Sequence, residues 1–214
     1  MLRYIEIFGL LALSAVAGGL LWAEQSTFRA TGNPDFSNPA VVLAQIPEHP
    51  LSLRASRAAL LFCDDAMAVV QTAFQTRTSR QDVAARCRSL AAKIVRLTPT
   101  DSLAYLVAAR AENYLDNWDL ARANLALSAE FAPFEGWLAE RRFVFAVNSL
   151  NGALSADQSV DIRTLLTTQS GAELLADYYQ SRPELRLPIS AMAGQAGEPD
   201  QVRFLNLLKK ARQT

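Results

Sequence analysis

Between residues 5 and 21 every position is apolar or small except Glu6, with Tyr4 on one side and Trp22 on the other. Wound as a helix at ~1.5 Å per residue, the run reaches about 25 Å, close to the hydrocarbon thickness of a bilayer, and its flanking aromatics fall at the two water boundaries. The pattern predicts a transmembrane anchor over residues 1–23. Arg3 and the terminal amine are the positive charges ahead of it, a bias that keeps the N-terminal end in the cytoplasm and sends the rest of the chain across. A cleaved secretory signal shares this outline of basic start and apolar centre. Its cleavage sites fit poorly. Cutting after Ala17 leaves an apolar core of only about eight residues, and cutting after Ala23 puts Leu21 where a small residue is preferred.

Inside the span Ser14 and Gly18 are four residues apart, as are Ala15 and Gly19, so two small-xxx-small pairs share one side of the helix. In lipid, where excluding water gives helices no advantage, such pairs let two backbones approach closely. Ser14, Gly18 and Gly19 are therefore candidates for contact with a second membrane helix, against the plainer reading that Ala and Gly are common in bacterial anchors. Glu6 lies within a turn of the boundary and can reach water from there.

Residues 24–50 break the periodicity. Pro34, Pro39, Pro47 and Pro50, with Gly32, Asn33 and Asn38, predict a semi-extended spacer. Beyond it apolar residues recur every three or four positions without an alternating run of Val, Ile, Thr and aromatics, so residues 51–214 are expected to form an all-α domain. The pattern places helices at 51–74, 80–97, 102–115, 118–131, 135–149, 156–169, 172–180, 183–192 and 199–212. Capping chemistry marks several boundaries. Ser155 with Gln158 fits a capping box, Ser79 with Asp82 imitates one, and Asp116 or Asn117 can accept amides of the helix that follows. Asn151 with Gly152 offers a left-handed stop, and Pro183 and Pro199 stand where a first-turn proline is tolerated. Short turns between these helices describe consecutive antiparallel hairpins.

One hairpin has a spacing of its own. Counted from Ser102, an aromatic stands at Tyr105, small residues at Ala108, Ala109, Ala121 and Ser128, an apolar residue at Leu125, and a proline at Pro133. In these positions it resembles a tetratricopeptide repeat, whose usual period is about 34 residues. Pro99 stands one such period before Pro133, and Cys87, Ala91 and Ile94 take the small and apolar positions of an earlier second helix. Glu112 departs from the pattern where an aromatic is normal, and Gly136, Trp137 and Phe143 fit poorly, so the resemblance is degenerate and covers about one and a half repeats. It implies hairpins that bury one another's apolar faces and whose first helices line a concave surface suited to a segment of another protein. A plain helical bundle is the alternative. On the repeat reading Tyr105, Ala109, Ala121 and Leu125 are buried between the helices, and Arg110 and Asn113 are exposed partner contacts.

Charge is balanced, with 21 basic and 21 acidic residues, which removes the footprint that nucleic-acid binding demands. Arg outnumbers Lys by far and Ala is abundant, a bias expected of a GC-rich bacterial genome. The two cysteines, Cys63 and Cys87, fall at comparable heights on the arms of one predicted hairpin. In an oxidising periplasm they can form a disulfide, or they pack as two small buried thiols.

Candidate chemistry is sparse. His49, the single histidine, sits in the spacer, where nothing holds a catalytic base rigidly. Cys63, Asp64 and Asp65 are sequential rather than convergent, so no metal site is expected. Asp64 and Asp65 could serve a glycan-cleaving carboxylate pair, but neighbouring helical residues point about 100° apart, which favours a solvated face. Near the start of the 135–149 helix, Trp137 and Arg141 are four apart and can stack, forming a hot spot for a protein or an anionic glycan. The alternative buries Trp137 and leaves Glu140, Arg141 and Arg142 in solvent. Together these features predict a single-pass protein of the bacterial inner membrane with a periplasmic domain. It is expected to be a scaffold or adaptor, not an enzyme, without cofactor or metal. Its expected partner is another inner-membrane protein, in polysaccharide synthesis or export or in a secretion apparatus. The competing class is an envelope enzyme acting on glycan or peptidoglycan through carboxylates.

Overall fold

A computed structural model describes residues 2–32, 36, 38–48, 50–70, 77–150 and 156–211; in the first helix side chains are described from Leu13 onward, except at positions 23 and 30. The protein is all-α, and among the described residues there is no strand. Helix α1 (Leu2–Gly32) runs through the apolar segment and on into the expected spacer. Helix α2 (Pro39–Gln45) follows, with Asn38 capping it by accepting a hydrogen bond from Ala40 N at 3.0 Å. Helices thus occupy much of the stretch expected to be a semi-extended spacer. A first-turn proline lacks only an N–H that has no intrahelical partner, so Pro39 starts a helix instead of preventing one. Val42 and Ile46, 0% and 2% exposed, then carry this stretch into the core.

Three hairpins follow: α3 (Leu53–Val70) with α4 (Arg77–Leu97), α5 (Ser102–Tyr114) with α6 (Trp118–Phe131), and α7 (Gly136–Ser149) with α8 (Ala156–Leu166). Cys63 and Cys87, both fully buried, are joined across the first hairpin with their Cα atoms 5.7 Å apart, so they are a disulfide and not two thiols. In the second, Ala109 and Ala121 are 0% exposed and Leu125 2%, which lets α5 and α6 approach closely. Tyr105 is half-buried, stacked on Phe131 at 5.4 Å. The Ser102 hydroxyl closes this hairpin by donating to Ser128 O at 2.6 Å.

Helices α3, α5 and α7 lie side by side and run in the same direction. The Tyr114 hydroxyl donates to Met67 O at 2.6 Å while Arg110 meets Asp64 three residues earlier, and Arg57 meets Trp137 while Asp64 and Asp65 meet Arg141. Helix α7 is buried on two sides. Leu138, Phe145 and Ala146 join the core beneath α2–α6, whereas Ala139, Phe143 and Val147 join a second cluster with α8, α9 (Gln169–Ser181), α10 (Arg186–Ala193) and α11 (Glu198–Ala211).

Several boundaries differ from expectation for local reasons. Helix α4 begins at Arg77, which puts Ser79 inside it instead of at its cap. Asn117 stands at the start of α6 but makes no capping bond; its amide donates to Glu112 Oε2 at 2.7 Å. Asp116 takes a left-handed φ of 62°, the conformation that ends α5. Asp101 and Thr168 are further caps, accepting from Ala104 N at 3.0 Å and Gly171 N at 3.1 Å. Pro183 opens a short 3-10 turn (Pro183–Leu185) ahead of α10. Ser155, Asn151, Gly152 and the expected end of α3 at 71–76 lie outside the described residues. Among the described residues no helix is long and apolar enough to cross a membrane.

Candidate functional site

The parallel α3, α5 and α7 bring a cluster of opposite charges to their shared face. Asp64 projects from α3 at 0% exposure. Arg110 Nε stands 2.5 Å from its Oδ1, an ionic contact whose angle falls outside that of a hydrogen bond, and Arg141 Nη1 donates to its Oδ2. Arg141 also donates to Asp65 Oδ1 at 2.7 Å. Burial works against the charged Arg141 guanidinium, but the hydrogen bond to Asp65 and the charge and hydrogen bond of Asp64 outweigh it and hold its pKa above the ordinary arginine value. Arg110 further donates to Arg141 O at 3.3 Å and lies over the Phe145 ring at 5.1 Å.

Along the same face Arg57 lies over the Trp137 ring at 4.9 Å, and the indole N–H donates to Glu135 Oε2 at 3.0 Å. This plate separates two depressions. One, of about 580 Å³, is bounded by Arg57, Leu61, Trp137, Glu140, Arg141 and Val144. The other, of about 310 Å³, opens toward Leu53, Thr100 and Phe131.

Arg110 and Asn113 are buried, 7% and 9% exposed, instead of standing out in solvent; Arg110 still lines the larger groove, whereas Asn113 does not. Trp137 and Arg141 both border the larger groove without stacking on each other, because Asp64 and Asp65 draw Arg141 away and Arg57 takes its place on the indole. The solvated carboxylate face is corrected as well, since Asp64 is enclosed by guanidiniums and only Asp65 is half-exposed. Ser14, Gly18 and Gly19 are exposed on α1, with no described atom within 4 Å of where a Cβ on either glycine would stand. His49 lies outside the described residues. Among the described residues no cluster of His, Cys, Asp and Glu could hold a metal ion.

Arg142, expected in solvent, is 0% exposed. It donates to both oxygens of Asp161 on α8, at 2.9 and 3.1 Å from Nε, and to Ser128 O and Ala132 O at 3.2 and 3.1 Å, so one guanidinium satisfies the carbonyls ending α6 and ties it to the third hairpin. The signal for these buried charges was in the spacing. Asp64 follows Leu60 by four and precedes Met67 by three, and Arg142 stands likewise after Leu138 and before Phe145, so each lies on an apolar stripe.

No family model, curated protein or solved structure matches the chain. Fold and site together define a class: an all-α protein of packed helical hairpins, one disulfide, and a mixed polar and apolar groove along three parallel helices.

Proposed function

We propose that this protein is a membrane-anchored scaffold of the bacterial envelope that holds a segment of a partner protein in the groove along α3, α5 and α7. The observation that carries the reading is the Arg57–Trp137 plate beside Leu61 and Val144, which presents a guanidinium, an aromatic face and aliphatic surface in one concave place. The parallel array of first helices agrees with the tetratricopeptide-like spacing of the second hairpin. The enclosure of Asp64 between Arg110 and Arg141 argues against an enzyme that acts through Asp64, and its half-exposed neighbour Asp65 is held by Arg141.

The anchor over residues 1–23 belongs to the same reading. Leu13, Val16, Leu20, Leu21 and Trp22 are 53–70% exposed, an apolar surface that lipid would cover and water would not favour. The buried disulfide suits an oxidising compartment and supports the reading of a periplasmic domain on a single inner-membrane pass. The partner is then another inner-membrane protein of envelope assembly, with no part for nucleic acid, cofactor or metal. Gentle detergent extraction followed by crosslinking and mass spectrometry tests this. Crosslinks from α3 and α7 beside the groove to one membrane protein are the expected result. A crosslink map confined to the region of Ser14, Gly18 and Gly19 would move binding to the membrane helix.

A further inference from the structure

The parallel course of α3, α5 and α7 gives the hairpin stack two unlike ends. At one end lie the starts of these three helices and the finishes of α4 and α6, as the Ser102–Ser128 bond and the antiparallel hairpins require. Five large apolar side chains project there: Leu51, Leu53, Leu97, Phe131 and Phe134, exposed by 52, 76, 83, 37 and 86%. None of them belongs to the groove beside Glu140 and Arg141. The opposite end exposes Trp118 and Leu120, at 42 and 54%, next to the Arg77–Asp116 ion pair.

Helix α1 leaves the stack at the first of these ends. Glu24 Oε1 accepts from the Ser52 hydroxyl at 2.5 Å and Phe28 lies beneath the Arg54 guanidinium at 5.6 Å, so the two helices advance together and residues before Glu24 extend beyond the start of α3. Those residues carry the exposed apolar surface from Leu13 to Trp22. A bilayer around that surface therefore lies next to Leu51 and Leu53, whose neighbour Ser52 is level with Glu24, two residues after Trp22.

We infer that this end of the stack rests on the lipid surface, with Leu53, Leu97 and Phe134 entering the interfacial layer and the groove held at a fixed height above it. The inference depends on the anchor proposed above. Continuity is what selects lipid over a protein partner: the apolar helix and the apolar end meet at the Glu24–Ser52 contact, and isolated Leu and Phe side chains at helix ends and short turns suit an interfacial layer better than a flat protein face. Docking at several points also stops the domain from tilting about a single helix.

The test uses the full chain reconstituted in vesicles of phosphatidylcholine and phosphatidylglycerol, with and without brominated acyl chains. A fluorophore is attached in separate preparations through Leu97→Cys, Phe134→Cys or Leu120→Cys, the native disulfide staying buried, and flotation of each sample is read independently. The expected result is that every preparation floats, that bromolipid quenches the labels at positions 97 and 134, and that the label at 120 keeps its emission. Floating samples with unquenched labels at 97 and 134, or with equal quenching at 120, overturn the docking while leaving the anchor in place. Samples that do not float overturn the anchor and the docking with it. Unquenched labels together with crosslinks between copies through position 134 would assign the surface to a protein contact and likewise refute lipid docking.

Discussion

The charges that organise this protein are carried by few side chains, and they differ sharply in burial. Asp64 is enclosed by Arg110 and Arg141, whereas Asp65 next to it keeps a side chain 46% exposed. Removing one partner from an enclosed ion pair strands the other charge, which costs about 3–5 kcal/mol, while an exposed pair contributes about 0–1 kcal/mol. Asp64→Ala is therefore expected to lower the unfolding free energy severely and Asp65→Ala hardly at all, as measured by denaturant titration; equal effects would contradict the enclosure. The raised pKa of Arg141 fixes the sign of its pH dependence. A raised cation contributes fully below its ordinary value and is lost only as pH rises through the higher one, so alkaline titration to about pH 10 leaves this contribution intact.

At the scale of elements, helix periodicity was legible and the roles of the charges were not. The stretch 118–131 has the same bounds in the sequence reading and in α6, because Trp118 opens an apolar period that stops at the turn before Pro133. The expected helix at 172–180 starts early, at Gln169, because Thr168 supplies a cap that outranks the apolar pattern. A single chain's period does not give which helix stands opposite, so the pairing of Arg110 and Arg141 with Asp64 and of Arg142 with Asp161 was not legible. Gly171 shows the same dependence. A Cβ there would press on Leu165 O and come within 2.8 Å of Leu165 Cα, backbone that cannot swing aside. Gly171→Ala is expected to cost about 1–3 kcal/mol through overpacking, visible as a lower thermal midpoint. The disulfide acts on a whole hairpin. With a sequence separation of 24, its removal by Cys63→Ala/Cys87→Ala is expected to cost about 3 kcal/mol, and a reductant should lower the native midpoint by a matching amount. Two freely alkylated thiols in unreduced native protein would contradict the bridge.

For the molecule as a whole, the proposed function gives location to the apolar α1 and binding to the groove. The anchor predicts that intact-mass measurement of membrane-extracted protein finds Met1 to Ala23 still attached; a product starting near Gly18 or Glu24 would mean a released protein. In the proposed capture groove along α3, α5 and α7, Arg57 and Glu140, exposed at its rim, are the side chains whose loss least disturbs the fold. The most direct measurement is capture of the crosslink-identified partner by full-length Arg57→Ala/Glu140→Ala, with the unfolding midpoint recorded alongside. Capture lost at an unchanged midpoint is the predicted result. Capture unchanged in this variant but abolished by altering Ser14, Gly18 and Gly19 would contradict the groove and give the binding function to the membrane helix.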